Sequence, residues 1–306
     1  MDPFEQVEKN YKDNFEKLED KRFHFAARLF FWCGDKFARN ELDQLKMEYI
    51  GKNNDEYSEK IREKFDEEIN YDSTLFMEDR KNFFLKYPLL KKYNKILFKC
   101  LFCETVYGVD IRKIINQYVK KEELASLRSE LYADKEAIAI LSTHAINYFY
   151  ALDFFLNEKE TYFDPKYFLD LTENAYRKNE VSVSSIIYLL THCIIGESAF
   201  YARNIKRNEH VYEKMFLFAE KIIMENYADI SLDVKAEFMV CAIMLRKETE
   251  IEKNILADLE KSFDSEKKFF TENGKAKNNG SFRKGEHRNV LALMAFYFEN
   301  KSAVSP

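Results

Sequence analysis

Two threonine–histidine pairs are the residues whose type and spacing most clearly suggest chemistry. The segment 141–146 (LSTHAI) matches 189–194 (LLTHCI) at an offset of 48 residues, so His144 and His192 occupy equivalent positions. Both lie in apolar runs, where an ionisable imidazole costs free energy unless it is paired. Imidazoles can ligate a metal such as zinc, or act as an acid or base beside a carboxylate.

The same interval continues along the chain. One further step reaches the region of Glu237, with Asp233 and Cys241 nearby, and another reaches His287. Equivalent positions of stacked helical hairpins face one region, so we expect a central polar cavity. We predict that it is lined by the repeat-related residues His144, His192, Glu237 and His287.

A metal is a second possibility for this cavity, with His144, His192 and His287 as candidate ligands. Their spacing matches no compact zinc motif such as HExxH. The alternative is structural: each threonine bonds back to its own helix, and each imidazole satisfies a buried polar group. The sequence names no cofactor.

Arg203 is a further pocket candidate, because a helix continuing to residue 203 would place it on one face with His192 and Gly196. A glycine inside a helix costs about 1 kcal/mol relative to alanine. Gly196 therefore indicates the close approach of another helix or of a ligand.

A glycine-rich basic stretch, 271–285, provides a possible anion site. Backbone amides of glycine turns and helix N-termini both favour anions. The candidate residues are Lys275, Lys277, Arg283, Lys284 and Arg288. The stretch contains neither GxxxxGK[ST] nor GxGxxG, so no nucleotide motif is present. A solvated connection between helices is the alternative.

The elements that must position these residues are helices. Glycine and proline are scarce, at 7 and 4 of 306 residues, which argues against a fold rich in tight turns. We predict an all-α fold built as a two-layer array of helical hairpins. We expect residues 1–108 to form a less regular helical region and 109–306 to form the hairpin repeats, the two together making one continuous globular unit.

The hairpin region alternates apolar with more polar helices. We predict apolar helices over 135–157, 182–203, 231–247 and 285–300, and polar helices over 110–132, 165–178, 208–226 and 250–264. Upstream, the apolar periodicity predicts helices over 4–18, 22–39, 55–69 with Asp55 as N-cap, and 89–107 ending at Gly108.

Composition excludes several functional classes. The net charge of −5 disfavours nucleic-acid binding, which needs a basic field. No apolar run is long enough to span a membrane. The acidic N-terminus and the five cysteines in apolar contexts, including Cys100 and Cys103, predict a cytoplasmic protein with reduced, buried thiols.

The alternation of apolar and polar helices over about residues 110–300 resembles the α/α-toroid of terpenoid cyclases, prenyltransferase β-subunits and lanthionine cyclases. The resemblance implies inner helices around a cavity, in a full or a partial ring. The DxDD motif of class II terpenoid cyclases and the Cys-His-Gly signature of lanthionine cyclases are absent. No catalytic residue is carried over.

Two functions follow as expectations. The first is a small-ligand pocket protein, with catalysis left open, that takes a small anionic ligand. The second is a non-catalytic helical-repeat scaffold that binds a protein partner. The sequence identifies neither a reaction nor a substrate.

Overall fold

The computed structural model describes residues 1–67, 78–156, 164–272 and 281–301. These residues form 16 α-helices, one 3-10 helix and one two-stranded antiparallel hairpin, so the prediction of an all-α fold is confirmed. The helices are α1 (Pro3–Asp13), the 3-10 helix (Phe15–Lys21), α2 (Arg22–Cys33), α3 (Lys36–Tyr49), α4 (Asn54–Asp66), α5 (Glu78–Lys86), α6 (Leu90–Tyr107), α7 (Arg112–Ile115), α8 (Lys121–Ala133), α9 (Lys135–Leu141), α10 (Thr143–Leu156), α11 (Pro165–Lys178), α12 (Val183–Glu197), α13 (Glu209–Glu225), α14 (Leu232–Leu245), α15 (Glu252–Lys261) and α16 (Glu286–Lys301). Strands β1 (Phe263–Asp264) and β2 (Phe269–Phe270) pair between α15 and α16.

The chain forms two compact units. Residues 44–202 make one of them, called here the continuous unit. Residues 1–43 and 203–306 together make the other, called the discontinuous unit. The predicted boundary after residue 108 lies inside the continuous unit, and one boundary between the units falls within α3.

In the continuous unit, α10 is the central helix. It packs against α6 and α12, and α12 packs in turn against α11. The contact with α12 is close, because a Cβ built on Gly196 would lie 2.2 Å from Cδ2 of Tyr150. Gly196 therefore allows two apolar helices to approach at a point where any larger side chain would collide with an aromatic ring.

In the discontinuous unit, α14 and α16 form the core pair. α14 also contacts α13 and α15, and α16 contacts α1 and α2. Asn289 of α16 ties the hairpin to this core, since its Oδ1 accepts from Phe270 N at 2.8 Å and its Nδ2 donates to Phe270 O at 3.1 Å. These bonds fix the first turn of α16 beside β2.

Several helix ends agree with the sequence prediction. Asp164 caps α11 and precedes Pro165 in its first turn, and Ser231 caps α14. Gly108 ends α6 in the left-handed conformation, with φ of 66°, which glycine adopts without steric cost. The predicted helices 165–178, 208–226, 231–247, 250–264 and 285–300 are also present to within a few residues, whereas 110–132 is divided into α7 and α8.

Other expectations need correction. The N-cap of α4 is Asn53, whose side chain accepts from two backbone amides, and Asp55 lies inside the helix. The predicted helix 135–157 is interrupted at Ser142, whose φ is 48° and whose hydroxyl donates to Ser185 O at 2.9 Å. The helices α3 and α5 and the short β hairpin were not predicted.

Among the described residues, no helix has the length and apolar character needed to cross a bilayer.

Candidate functional site

A stripe of half-buried polar residues interrupts the otherwise apolar surfaces of α10 and α12. Both helices are mostly buried, yet His144 and Asn147 on α10 and Tyr188 and His192 on α12 remain partly accessible. Residues three or four positions apart share a face of a helix, so each pair lies on one side of its own helix. With Arg80 of α5, these four residues are called here the histidine cluster.

His192 is held in one tautomer by its neighbour. Its Nδ1 lies 2.7 Å from Oδ1 of Asn147. An amide oxygen accepts hydrogen bonds, so Nδ1–H is the donor in this contact. The ring of Tyr188 stands edge-on to the imidazole, with 6.2 Å between ring centroids.

His144 is kept neutral by its surroundings. Burial is the main cause that lowers its pKa, from an ordinary value of 6.5 to about 3. Repulsion from Arg80, Lys91 and His192 lowers it further, so each of these three groups lies near His144. The ring of His144 also packs edge-on against Phe84, with centroids 5.0 Å apart.

Arg80 is the fixed positive charge of the cluster. It is half-buried, its Nε donates to Ile140 O at 3.0 Å, and burial lowers its pKa. No carboxylate within the described parts of the chain forms an ion pair with it. Lys91 adds positive charge, with Nζ 4.6 Å from the centroid of the Phe84 ring. The cluster is therefore basic and lacks an internal counter-ion among these residues.

A cleft of about 840 Å³ adjoins the cluster along α9 and α11. It is lined by both apolar and charged residues. Ile140 belongs to both features, since it lines the cleft and its carbonyl oxygen accepts the bond from Arg80. The lining residues are Lys135, Glu136, Ala139, Ile140, Tyr167, Asp170, Leu171, Asn174, Ala175, Lys178, Glu180 and Val181.

The other two predicted cavity residues meet in the discontinuous unit. Nε2 of His287 lies 4.0 Å from Oε2 of Glu237, whose side chain is only 1% exposed. Burial and the charge of Arg28 lower the pKa of His287, although Glu237 opposes the shift. Burial and Glu237 also raise the pKa of the Cys241 thiol. His144 and His192 thus form one group, and Glu237 and His287 form another.

Two of the five predicted anion-binding residues, Arg283 and Arg288, pair with carboxylates. Arg288 is buried, and its Nη2 contacts Asp233 at 2.8 Å and Glu272 at 3.0 Å. Arg283 pairs with Asp20 at 2.6 Å, at the surface. Lys284 is exposed. Lys275 and Lys277 lie outside the described residues.

Arg203 does not share a helix face with His192. α12 ends at Glu197, and Ala199, Phe200 and Tyr201 then take positive φ angles, so Arg203 follows in an exposed loop. The expectation for Arg203 was wrong because the helix was extended six residues too far.

The cysteines are buried thiols, as expected for four of the five. Cys100, Cys103, Cys193 and Cys241 are buried, and Cys33 is half-buried. Burial raises the pKa of Cys100 to about 12 and that of Cys103 to about 11, so both stay protonated. No group of three or more histidine, cysteine or acidic side chains in the described segments is arranged to hold a metal ion.

The profile of one protein family matches residues 3–305, which is nearly the whole chain. The chain belongs to the family described as a domain of unknown function, DUF3541. No curated protein and no solved structure matches the chain. In this DUF3541 protein, functional evidence must therefore come from the geometry of its own side chains.

Sequence reasoning missed three members of the histidine cluster. Asn147 follows His144 by three residues and Tyr188 precedes His192 by four, so helical spacing from each histidine would have located both. Arg80 carries no such signal. It lies in α5, far from α10 and α12 in sequence, and only the fold brings it to the histidines.

Proposed function

We propose that this DUF3541 protein is a small-ligand binding protein that takes an anionic ligand at the histidine cluster. The observation that carries the proposal is the half-buried guanidinium of Arg80, which lies near His144 and Tyr188 and has no carboxylate partner in the described residues. A partly buried charge without a counter-ion costs free energy. An anionic ligand would supply the missing counter-ion.

The chemistry of the cluster fits a carboxylate or phosphate group. A guanidinium presents a planar fork of donors that matches the oxygens of either group. Tyr188 and the two imidazoles add polar groups around the charge. Because a bound anion stabilises a protonated ring, it should also raise the pKa of His144 from its low value.

His192 gives this site a possible reactive group. In a neutral ring, the bond to Asn147 leaves Nε2 as the basic nitrogen, and a general base requires that form. We propose ligand binding and no reaction. The proposed site is the histidine cluster of the continuous unit, which contains two of the four residues predicted to line the central cavity.

The test is a titration of the full chain with inorganic phosphate and with acetate, followed through the histidine ring resonances in NMR spectra. We expect saturable shifts of the His144 and His192 signals. Arg80→Met should weaken binding by about 10- to 100-fold, the loss expected for one charged hydrogen-bonded contact.

Arg283→Met is the matched control, since it removes an exposed arginine that pairs with Asp20. It should bind both anions as the unmodified chain does. Absence of histidine shifts, or equal affinity in the Arg80 and Arg283 variants, would refute the proposal. Such a result would favour the alternative function, a protein-interaction scaffold.

A further inference from the structure

The cleft beside the histidine cluster is much larger than the anion proposed to bind there. Its volume of about 840 Å³ lies along α9 and α11. This value is within the range of about 300–1,000 Å³ that is usual for small-molecule sites. A carboxylate or phosphate group alone fills only a small part of such a volume, so the cleft has room for the body of a larger ligand.

Arg80 connects the cluster to the cleft. Its Nε donates to Ile140 O at 3.0 Å, and Ile140 lines the cleft. A guanidinium has five N–H donors, and four of them are on its two terminal nitrogens. Within the described residues these two nitrogens donate no hydrogen bond, and neither is fully buried. The edge that can bind both oxygens of a carboxylate is therefore available to a ligand beside the cleft.

The apolar part of the lining is shielded from water. Six lining residues are apolar or aromatic, and each of them is buried or half-buried. The hydroxyl of Tyr167 already donates to Tyr132 O at 2.6 Å, so the part of this side chain left for a ligand is its ring. The six residues are Ala139, Ile140, Tyr167, Leu171, Ala175 and Val181.

The charged residues of the lining are exposed and offset one another. Asp170 pairs with Lys166 at 3.2 Å. Glu180 pairs with Lys178 at 3.2 Å. The segment Lys135–Glu136 supplies one further charge of each sign in the first turn of α9. Exposed pairs of this kind are screened by water. The cleft therefore offers a ligand apolar contact more than it offers charge.

We infer that the ligand of the histidine cluster is a monocarboxylate with an apolar chain, which binds with its carboxylate at Arg80 and its chain in the cleft. This inference rests on the proposed function, because it uses the same cation. The carboxylate takes two parallel hydrogen bonds from the guanidinium edge. The chain is removed from water against the apolar lining, whereas a strongly polar body would lose hydrogen bonds to water there.

Calorimetric titration of the full chain with acetate, butanoate and hexanoate tests the part of the ligand beyond the carboxylate. Each methylene that moves from water into apolar surroundings should increase affinity by about 3- to 4-fold. Hexanoate has four more methylenes than acetate, so it should bind about 100-fold more tightly. Equal affinities for the three acids overturn the inference and leave the proposed function standing.

Val181→Asn places a polar amide in the cleft without adding a charge. It should weaken hexanoate binding by about 3- to 10-fold and leave acetate binding unchanged, because only the longer acid reaches this residue. Val183→Asn is the matched control, since Val183 is also half-buried but does not line the cleft. Far-UV circular dichroism verifies that both variants are folded. Equal hexanoate affinity in the two variants overturns the placement of the chain.

Arg80→Met tests whether the carboxylate and the chain belong to one bound molecule. It should weaken acetate and hexanoate binding by the same factor, about 10- to 100-fold. Hexanoate affinity that is unchanged by Arg80→Met overturns the inference, because the acid would then occupy the cleft without contacting Arg80. If neither acid binds the unmodified chain, the proposed function is refuted, and the inference fails with it.

Discussion

Two arginines, one in each unit, differ in how their positive charge is compensated. In the discontinuous unit, Arg288 faces Asp233 and Glu272, and Lys235 faces Asp258. In the continuous unit, the one hydrogen bond of Arg80 among the described residues goes to a backbone carbonyl, and its neighbours include His144 and Tyr188. The first arrangement is complete within the described residues, whereas the second is short of an anion.

This difference separates two roles for similar residues. When one partner of a compensated buried pair is removed, the other charge stays buried without a counter-ion, so the fold loses stability. An uncompensated, partly accessible cation lowers the stability of the folded state. Binding of an anion restores that stability. Charge balance, more than residue type, therefore distinguishes framework from binding site in this protein.

The largest effect should come from breaking the compensated group. Arg288→Met leaves two carboxylates without their cation, so it should destabilise the fold by about 3–5 kcal/mol. Arg80→Met loses only one bond to a carbonyl, and we expect a cost of about 1 kcal/mol or less. Urea unfolding monitored by circular dichroism measures both. Equal losses of stability in the two variants would contradict the proposed difference between Arg288 and Arg80.

A smaller effect should follow from Gly196→Ala, which tests how the histidines are positioned. The new Cβ would collide with Tyr150, and overpacking of this kind costs about 1–3 kcal/mol. The loss should exceed the gain in helix propensity from alanine, which is about 1 kcal/mol. In a Tyr150→Leu background the cost of the alanine should shrink. Thermal unfolding of the four chains provides the measurement, and an additive result would show that the contact does not limit the packing of α10 on α12.

The third prediction concerns pH. His144 has a pKa of about 3 when folded and an ordinary value of 6.5, so the unfolded chain binds more protons between these values. Its contribution to stability is present above pH 6.5 and is lost as pH falls towards 3. His144→Gln should reduce the proton uptake on unfolding at about pH 5 by close to one proton.

Phosphate should also change the pH dependence that His144 causes. Saturating phosphate should raise the pKa of His144 in the unmodified chain and so flatten the stability–pH curve. The same addition should leave the curve of Arg80→Met unchanged. Stability measured across this pH range with and without phosphate decides the point, and an identical phosphate response in both chains would contradict it.

The sequence predicted most helices because their signals are local. Asp164 with Pro165, Ser231 and Gly108 mark helix ends through capping bonds or a left-handed backbone, and each involves only a few neighbouring residues. Ser142 was missed because its left-handed conformation is supported by a bond to Ser185, a residue on another helix. α12 was extended too far because Ala199 to Tyr201 look helical by composition but adopt positive φ angles.

The candidate sites were less predictable, since they depend on residues distant in sequence. The 48-residue offset pointed to His144 and His192, and their packed helices bring the two rings near each other. Nothing in the sequence indicates that Arg80 joins them, or that a cleft lies beside it. The two-layer array, the partial ring and the common cavity remain predictions.

The discontinuous unit has a consequence for biosynthesis. Its helices α1 and α2 pack against α16, so residues 1–43 leave the ribosome long before their partner has been translated. The continuous unit meets no such delay, because all its segments emerge in one uninterrupted run. Nascent chains therefore carry the apolar faces of α1 and α2 exposed through most of translation, a period in which chaperone binding would protect them.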